Sequence, residues 1–158
     1  MTDDADMVVI HTDGACRGNP GAGGWGAVLR YRATQRCLRG ACPDTTNNRM
    51  ELTAAIEALA ALKRRSRVRL VTDSKYLLQG VTEWLPAWKR RRWRTADGRP
   101  VKNVDLWQRL DSLTGAHDIE WCWVRGHTGD EGNELADELA NTAIDELQNR
   151  PVTAGKAG

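Results

Sequence analysis

Cysteine is scarce in this chain and poorly spaced for metal binding. Cys16, Cys37, Cys42 and Cys122 form no C-x-x-C pair and no histidine cluster accompanies them, which excludes a zinc module. No segment is long and apolar enough to span a bilayer, and Met1-Thr2-Asp3-Asp4 lacks the basic and apolar stretches of a secretory leader. The expectation is a soluble cytoplasmic protein with reduced thiols. Charge imbalance is missing too: 23 Lys and Arg against 21 Asp and Glu leave a net charge of +2. There is no internal repeat. The glycine-rich run from Gly14 to Gly24 is not followed by Gly-Lys-Ser/Thr and lacks dinucleotide-binding spacing, so it is no P-loop.

What is present describes an ordinary globular domain. The 158 residues are 41% hydrophobic and 28% charged, enough to build a core and too apolar for disorder. Val8 to Thr12 and Val68 to Thr72 read as short buried strands, and Ile119 to Val124 as a third. Trp25 to Arg32 and the stretch around Arg36 to Cys42 alternate apolar and polar, and the short links predict an antiparallel meander with the first strand. Gly14 to Gly24 reads as a turn whose glycines let backbone approach a ligand closely. Thr46 to Leu62 carries a broad apolar stripe at helical spacing, with Thr45, Thr46 or Asn48 available as its cap and Glu51 near its positive end. Shorter helices are predicted over Ser74 to Gly80, from near Glu83 with Pro86 in the first turn, over Val104 to Leu113, and over Glu134 to Leu147. The fold class that follows is α/β, a mixed five-stranded sheet made of a three-strand antiparallel meander plus two parallel strands, with helices on both faces. One domain over 1–147 and a loose tail over 148–158 are expected.

Four carboxylates carry the chemistry. Asp13 and Asp73 each close an apolar run, and Glu51 and Asp137 each lie early in a helical pattern. Alone, each is explained as a cap or a dipole partner. Together they fall where strand ends and helix starts meet at one edge of an open sheet. Acids gathered there stay ionised only with a cation between them, which points to a divalent-metal site for phosphate chemistry. His127, in Val124-Arg125-Gly126-His127-Thr128-Gly129, follows a strand and precedes the helix of Asp137, so it is placed for proton transfer.

Charge is local where it is not global. Lys89, Arg90, Arg91, Arg92, Arg94, Arg99 and Lys102 fall together with only Asp97 among them, and Trp84, Trp88 and Trp93 are interleaved. The arginines read as a nucleic-acid footprint. The tryptophans fit a satellite core and a stacking surface equally well.

These motifs in combination resemble type 1 ribonuclease H. The run from Thr12-Asp13-Gly14 to Asn19-Pro20-Gly21 is similar to that family's opening, as are Thr46-Asn47-Asn48-Arg49-Met50-Glu51, Thr72-Asp73-Ser74, Val101-Lys102-Asn103-Val104-Asp105-Leu106-Trp107 and Val124-Arg125-Gly126-His127. The likeness runs from about Val8 to about Ala143 and is to the bacterial form. It implies a ribonuclease H-like fold and an endonuclease that hydrolyses the RNA strand of RNA–DNA hybrids to 5′-phosphate and 3′-hydroxyl ends. It implies two Mg²⁺ or Mn²⁺ ions on Asp13, Glu51, Asp73 and Asp137, with His127 in proton transfer or product release. Gly14, Cys16, Asn19, Asn47, Asn48 and Lys75 would meet the RNA strand. Thr46 and Asn103 would form a pocket for a DNA-strand phosphate, and 82–102, with Trp84, Trp88, Trp93, Lys89, Arg90 and Arg91, a basic protrusion gripping the DNA strand. Two positions depart from the family: Asp44 stands where arginine is common, and Lys75 where glutamine is common. A monomer with no obligate protein partner and no membrane is expected. Rival expectations are a DNA-directed polynucleotidyl transferase and a hybrid-binding module without catalysis, though none of the four acids is missing.

Overall fold

The computed structural model describes residues 6–126 and 129–149. Five strands form one sheet in the order β3-β2-β1-β4-β5. β1 (Met7–Arg17), β2 (Gly21–Tyr31) and β3 (Thr34–Thr45) pair antiparallel; β4 (Arg67–Thr72) pairs parallel with β1, and β5 (Asp118–Trp123) parallel with β4. This is the expected mixed sheet. The glycine-rich run departs from expectation. Only the short link between Arg17 and Gly21 turns the chain; Gly14 to Arg17 and Gly21 to Gly24 continue the strands. Unbroken pairing of Asp13 with Gly26 through Arg17 with Ala22 outweighs the weak strand propensity of glycine.

The glycines serve helix packing. α1 (Asn47–Ala60) covers one face of the sheet and α5 (Glu131–Gln148) the other. A Cβ on Gly14 would lie 2.6 Å from the Glu51 amide nitrogen in α1, and one on Gly26 would lie 2.3 Å from the Ala136 carbonyl oxygen in α5. α5 answers with small residues, Ala136, Ala140 and Ala143, all buried on the side facing β2. Close approach of helix to sheet therefore depends on hydrogen in place of a side chain. Gly26→Ala is expected to lower stability by about 1–3 kcal/mol, the usual cost of overpacking, because the clash is with backbone that cannot rotate away. Chemical denaturation measures it; an unchanged midpoint would mean that α5 shifts freely.

The main core lies under α1, where Ile10, Leu52, Ile56, Leu59, Val68, Leu70, Trp107 and Leu110 are buried together. Of the three candidates, Thr46 is the cap of α1: its Oγ accepts from the Arg49 amide at 3.2 Å. That start puts Glu51 in the second turn, not the first, so it is no dipole partner but a buried acid. α5 begins three residues before its expected start because the Asp130 side chain caps it, accepting from the Asn133 amide at 2.8 Å.

Between β4 and α4 (Val104–Thr114) the chain is helical without a break from Lys75 to Arg90. α2 (Lys75–Gln79) runs into a π-helical turn over Gly80–Trp84 and then α3 (Leu85–Arg90). Pro86 sits in the first turn of α3, as expected, yet it does not separate two helices. The wide turn takes up the missing proline N–H, with the Leu85 amide bonding back to Gly80 O. Trp107 fills the space over Gly80, where a Cβ would lie 1.9 Å from the indole. Among the described residues, no helix is long and apolar enough to cross a membrane. The tail beyond residue 149 lies outside the described residues.

Candidate active site

The parallel register of β1 and β4 builds the site. Thr12 pairs with Thr72, so the next residue on each strand, Asp13 and Asp73, leaves the same edge of the sheet side by side. The turn after β4 is held by two side chains: Thr72 Oγ accepts from the Ser74 amide at 3.0 Å and Ser74 Oγ from the Leu77 amide at 3.1 Å. Glu51 reaches the same point from α1. Carboxylate oxygens of Asp13, Glu51 and Asp73 all lie within 4.8 Å of one another. Asp13 and Glu51 are buried at 4% and 5% exposure, and Asp73 is half-buried. Asp137, in the second turn of α5, stands close enough to Asp13 to act on its charge, and Asn141 Nδ2 holds the Asp137 carboxylate at 3.2 Å.

Crowding has an electrostatic consequence. Burial first, then the Asp73 and Asp137 carboxylates, pushes the Asp13 carboxyl up to about 9. Burial and the charges of Asp13 and Asp73 also raise Glu51 well above the usual carboxylate range, against the opposing pull of the Gly14 amide. Glu51 Oε1 is buried without a hydrogen-bond partner. A buried oxygen with nothing to accept from, beside two more carboxylates, is a donor set suited to a hard divalent cation. The residues present therefore fit the metal that the sequence implies.

Around the acids, the expected substrate contacts fall into two groups. Asn19 Oδ1 accepts from the Asn47 amide at 3.1 Å, so the β1–β2 turn and the start of α1 are tied together beside Asn48. Cys16, near the end of β1, donates its Sγ hydrogen to the Gly18 carbonyl in that turn. Lys75 Nζ lies 5.4 Å from the centre of the Trp123 ring, and Trp123 Nε1 donates to the Asp73 carbonyl at 3.3 Å. Trp123 is 40% exposed, large and apolar at the edge of the site, and it was not among the expected contacts. Its signal was its place at the end of β5, next to Asp73.

The second group lies around α4. Thr46 and Asn103 are joined through Arg49, whose amide donates to Thr46 Oγ and whose Nη1 donates to Asn103 Oδ1 at 3.2 Å. Asp105 grips the Arg49 guanidinium with both oxygens, at 3.1 and 2.8 Å. Arg49 was also missed, for the reason that its partners are more than fifty residues away in sequence.

The tryptophans pack. Trp84 contacts Tyr76 and Trp88, and Trp88 contacts Trp107, with ring centres 5.3–5.7 Å apart. Trp84, Trp88 and Trp93 are half-buried against the main core, as the satellite-core reading has it, and each keeps part of its surface exposed. Lys89 is paired with Asp111 at 3.4 Å. Arg90, Arg91 and Arg92 are exposed and have no ion-pair partner among the described residues. Asp44 is exposed at the end of β3. His127 lies outside the described residues; its neighbour Gly126 passes against the acids, where a Cβ would be 2.7 Å from Asp73 Oδ2.

Comparison with known proteins agrees with this geometry. Residues 5–145 match the family described as RNase H. The chain belongs to the RNase H family. Membership makes it an endoribonuclease. It is 65% identical to the ribonuclease H of Pseudomonas paraeruginosa over 91% of this chain and 97% of that one. It is 64% identical to the ribonuclease HI of Pseudomonas aeruginosa over the same shares. Among solved structures, LC9-RNase H1, a type 1 RNase H with the type 2 active-site motif, superposes with a TM-score of 0.79 at 34% identity, covering 95% of this chain and 84% of that one.

Proposed function

We propose that this chain hydrolyses the RNA strand of RNA–DNA hybrids, using two divalent cations held by Asp13, Glu51, Asp73 and Asp137 and leaving 5′-phosphate and 3′-hydroxyl ends. The observation that carries this reading is the convergence of Asp13, Glu51 and Asp73 within 4.8 Å at the sheet edge, with Glu51 Oε1 unpartnered. Bound Mg²⁺ or Mn²⁺ would supply the lowered pKa of the attacking water and the stabilisation of the departing 3′ oxygen. The side chains do the rest. Asp13, Glu51 and Asp73, fixed by two strands and a helix, hold their carboxyl oxygens at one point, ready to take a cation. Asp137, on the other face, supplies the fourth carboxylate, and His127 carries a proton.

Strand choice rests on the 2′-hydroxyl, read by Gly14, Cys16, Asn19, Asn47, Asn48 and Lys75. Thr46 and Asn103 take a DNA-strand phosphate. The exposed parts of Trp84, Trp88 and Trp93, with Lys89, Arg90 and Arg91, hold the same strand further along. All of these are backbone contacts, so base specificity is low.

An end-labelled hybrid with either strand labelled in turn, with and without Mg²⁺, tests the assignment. Cleavage of the RNA label alone, and only with metal, is expected. Cleavage of DNA would favour a polynucleotidyl transferase, and tight binding without cleavage a hybrid-binding module. The exposed arginines give an independent check. Replacing Arg90, Arg91 and Arg92 with Ala is expected to weaken hybrid binding and to flatten the plot of log affinity against log salt by about 0.9 for each phosphate no longer neutralised. An unchanged slope would assign them to solvent.

A further inference from the structure

We propose that Tyr76 is a positioning residue for the DNA-strand contact, holding the Asn103 amide so that one of its Nδ2 hydrogens is left to donate to a phosphate. The inference rests on the reading of Asn103 given above and adds to it a residue from another helix. Asn103 stands at the N-cap position of α4, where an asparagine side chain normally accepts from the helix's first amides. Here it makes no such bond, and its backbone is left-handed, with φ at 60°. The side chain is committed elsewhere. Oδ1 accepts from Arg49 Nη1 at 3.2 Å, and Nδ2 donates to the Tyr76 hydroxyl at 3.0 Å.

Each partner is itself held. Asp105 grips Arg49 with both oxygens. Trp107, fully buried, donates its Nε1 hydrogen to the same Tyr76 oxygen at 3.0 Å, and an indole N–H can only donate. That fixes the phenol oxygen as an acceptor for both groups. The Tyr76 ring is clamped between Trp84 at 5.7 Å and Trp107 at 5.3 Å, so the oxygen has little freedom to move. A flipped amide would aim NH₂ at the Arg49 guanidinium, donor against donor. Arg49 therefore sets which way the amide faces, and Tyr76 sets where its nitrogen lies. Of the two Nδ2 hydrogens, Tyr76 takes one. The other is directed by the fixed amide plane, which is the arrangement a phosphate oxygen needs. Tyr76 also lies only three residues after Asp73, so the same short helix that leaves the acid cluster sets the distance to the phosphate contact.

The test is a double-mutant cycle on Tyr76→Phe and Asn103→Ala, read by steady-state cleavage of a hybrid. Phenylalanine keeps the ring contacts and removes only the acceptor. Tyr76→Phe is expected to raise KM about fivefold, the effect of removing one orienting hydrogen bond, with kcat within twofold. In the Asn103→Ala background it should add nothing, because Tyr76 acts through Asn103. Additive effects, or a fall in kcat and thermal midpoint with KM unchanged, would overturn the inference and leave Tyr76 a core ring. If Asn103→Ala alone leaves KM unchanged in an enzyme that still cleaves, the phosphate pocket and the Tyr76 inference both fall while hydrolysis stands. Hybrid affinity in metal-free buffer gives the same cycle without cleavage, so loss of the hydrolytic assignment is read separately. Should Tyr76→Phe fail to fold, the Asn103 side-chain amide of the unsubstituted protein serves. Two resolved Nδ2 hydrogens are expected, one protected in the free protein and the other shifting on adding hybrid; a freely averaging amide would overturn the inference.

Discussion

Asp73→Asn is expected to abolish RNA cleavage while the hybrid stays bound. The substitution is nearly isosteric, and the turn that presents Asp73 is held by Thr72 and Ser74 rather than by its own carboxylate. The Asp73 backbone carbonyl keeps its bond from Trp123. What disappears is one negative charge from a cluster whose ligand oxygens lie within 4.8 Å of each other. Charge stabilisation at a metal-assisted phosphoryl centre amounts to several kcal/mol, which corresponds to a rate loss on the order of 10³-fold or more. On the proposed reading, binding is carried by contacts to both strands away from the acids, and removing a negative charge beside a phosphodiester should, if anything, tighten it. Single-turnover cleavage and fluorescence anisotropy on one hybrid separate the two effects. Turnover within tenfold of the unsubstituted enzyme would take Asp73 out of the site.

Mg²⁺ affinity is expected to climb at least tenfold per pH unit between pH 7 and 9. In the metal-free protein the Asp13 carboxyl, pushed up to about 9 by burial and by its acidic neighbours, still holds a proton at pH 7. A cation needs the anion, so binding must expel that proton, and the cost of doing so falls as pH rises. Calorimetry in two buffers of different ionisation enthalpy should register at least one proton released per site at pH 7. Folding stability follows the opposite sign. A carboxyl whose native pKa is raised stabilises the fold below its unfolded pKa, and that contribution is lost as pH rises through the native one. The metal-free protein should therefore weaken steadily toward pH 9. Asp13→Asn should relieve it by about 1–3 kcal/mol at that pH, since an amide carries no charge to strand. Affinity that stays flat across the range would show that Asp13 is already ionised without metal.

The acid cluster was legible in the sequence for a physical reason. A buried strand that ends in Asp, twice, places both acids at one sheet edge once the strands run parallel, and Thr12 opposite Thr72 is that arrangement. A helix with Glu near its start points a third acid toward the edge, although the expectation misplaced Glu51 by one turn. The glycines misled because low strand propensity is a property of the residue alone, whereas the space a Cβ would occupy belongs to a helix far away in sequence. Pro86 misled in the same way: a missing N–H does forbid an ordinary helical bond, but a wide turn can absorb it when Trp107 fills the gap over Gly80.

Residue types and their spacing alone determined the mixed sheet, the capped helix at Thr46, the acids at element ends and the local run of exposed arginines. Each of these depends on neighbours within a few positions, the range over which periodicity and capping act. Only the tertiary structure decided which faces of Trp84, Trp88 and Trp93 are spent on packing, that Arg49 ties Thr46 to Asn103, and that Tyr76 and Trp123 stand beside the site. Most of those pairings, such as Arg49 with Asn103, Asn103 with Tyr76 and Trp123 with Asp73, join residues tens of positions apart, and a through-space partner leaves no local pattern by which it can be recognised.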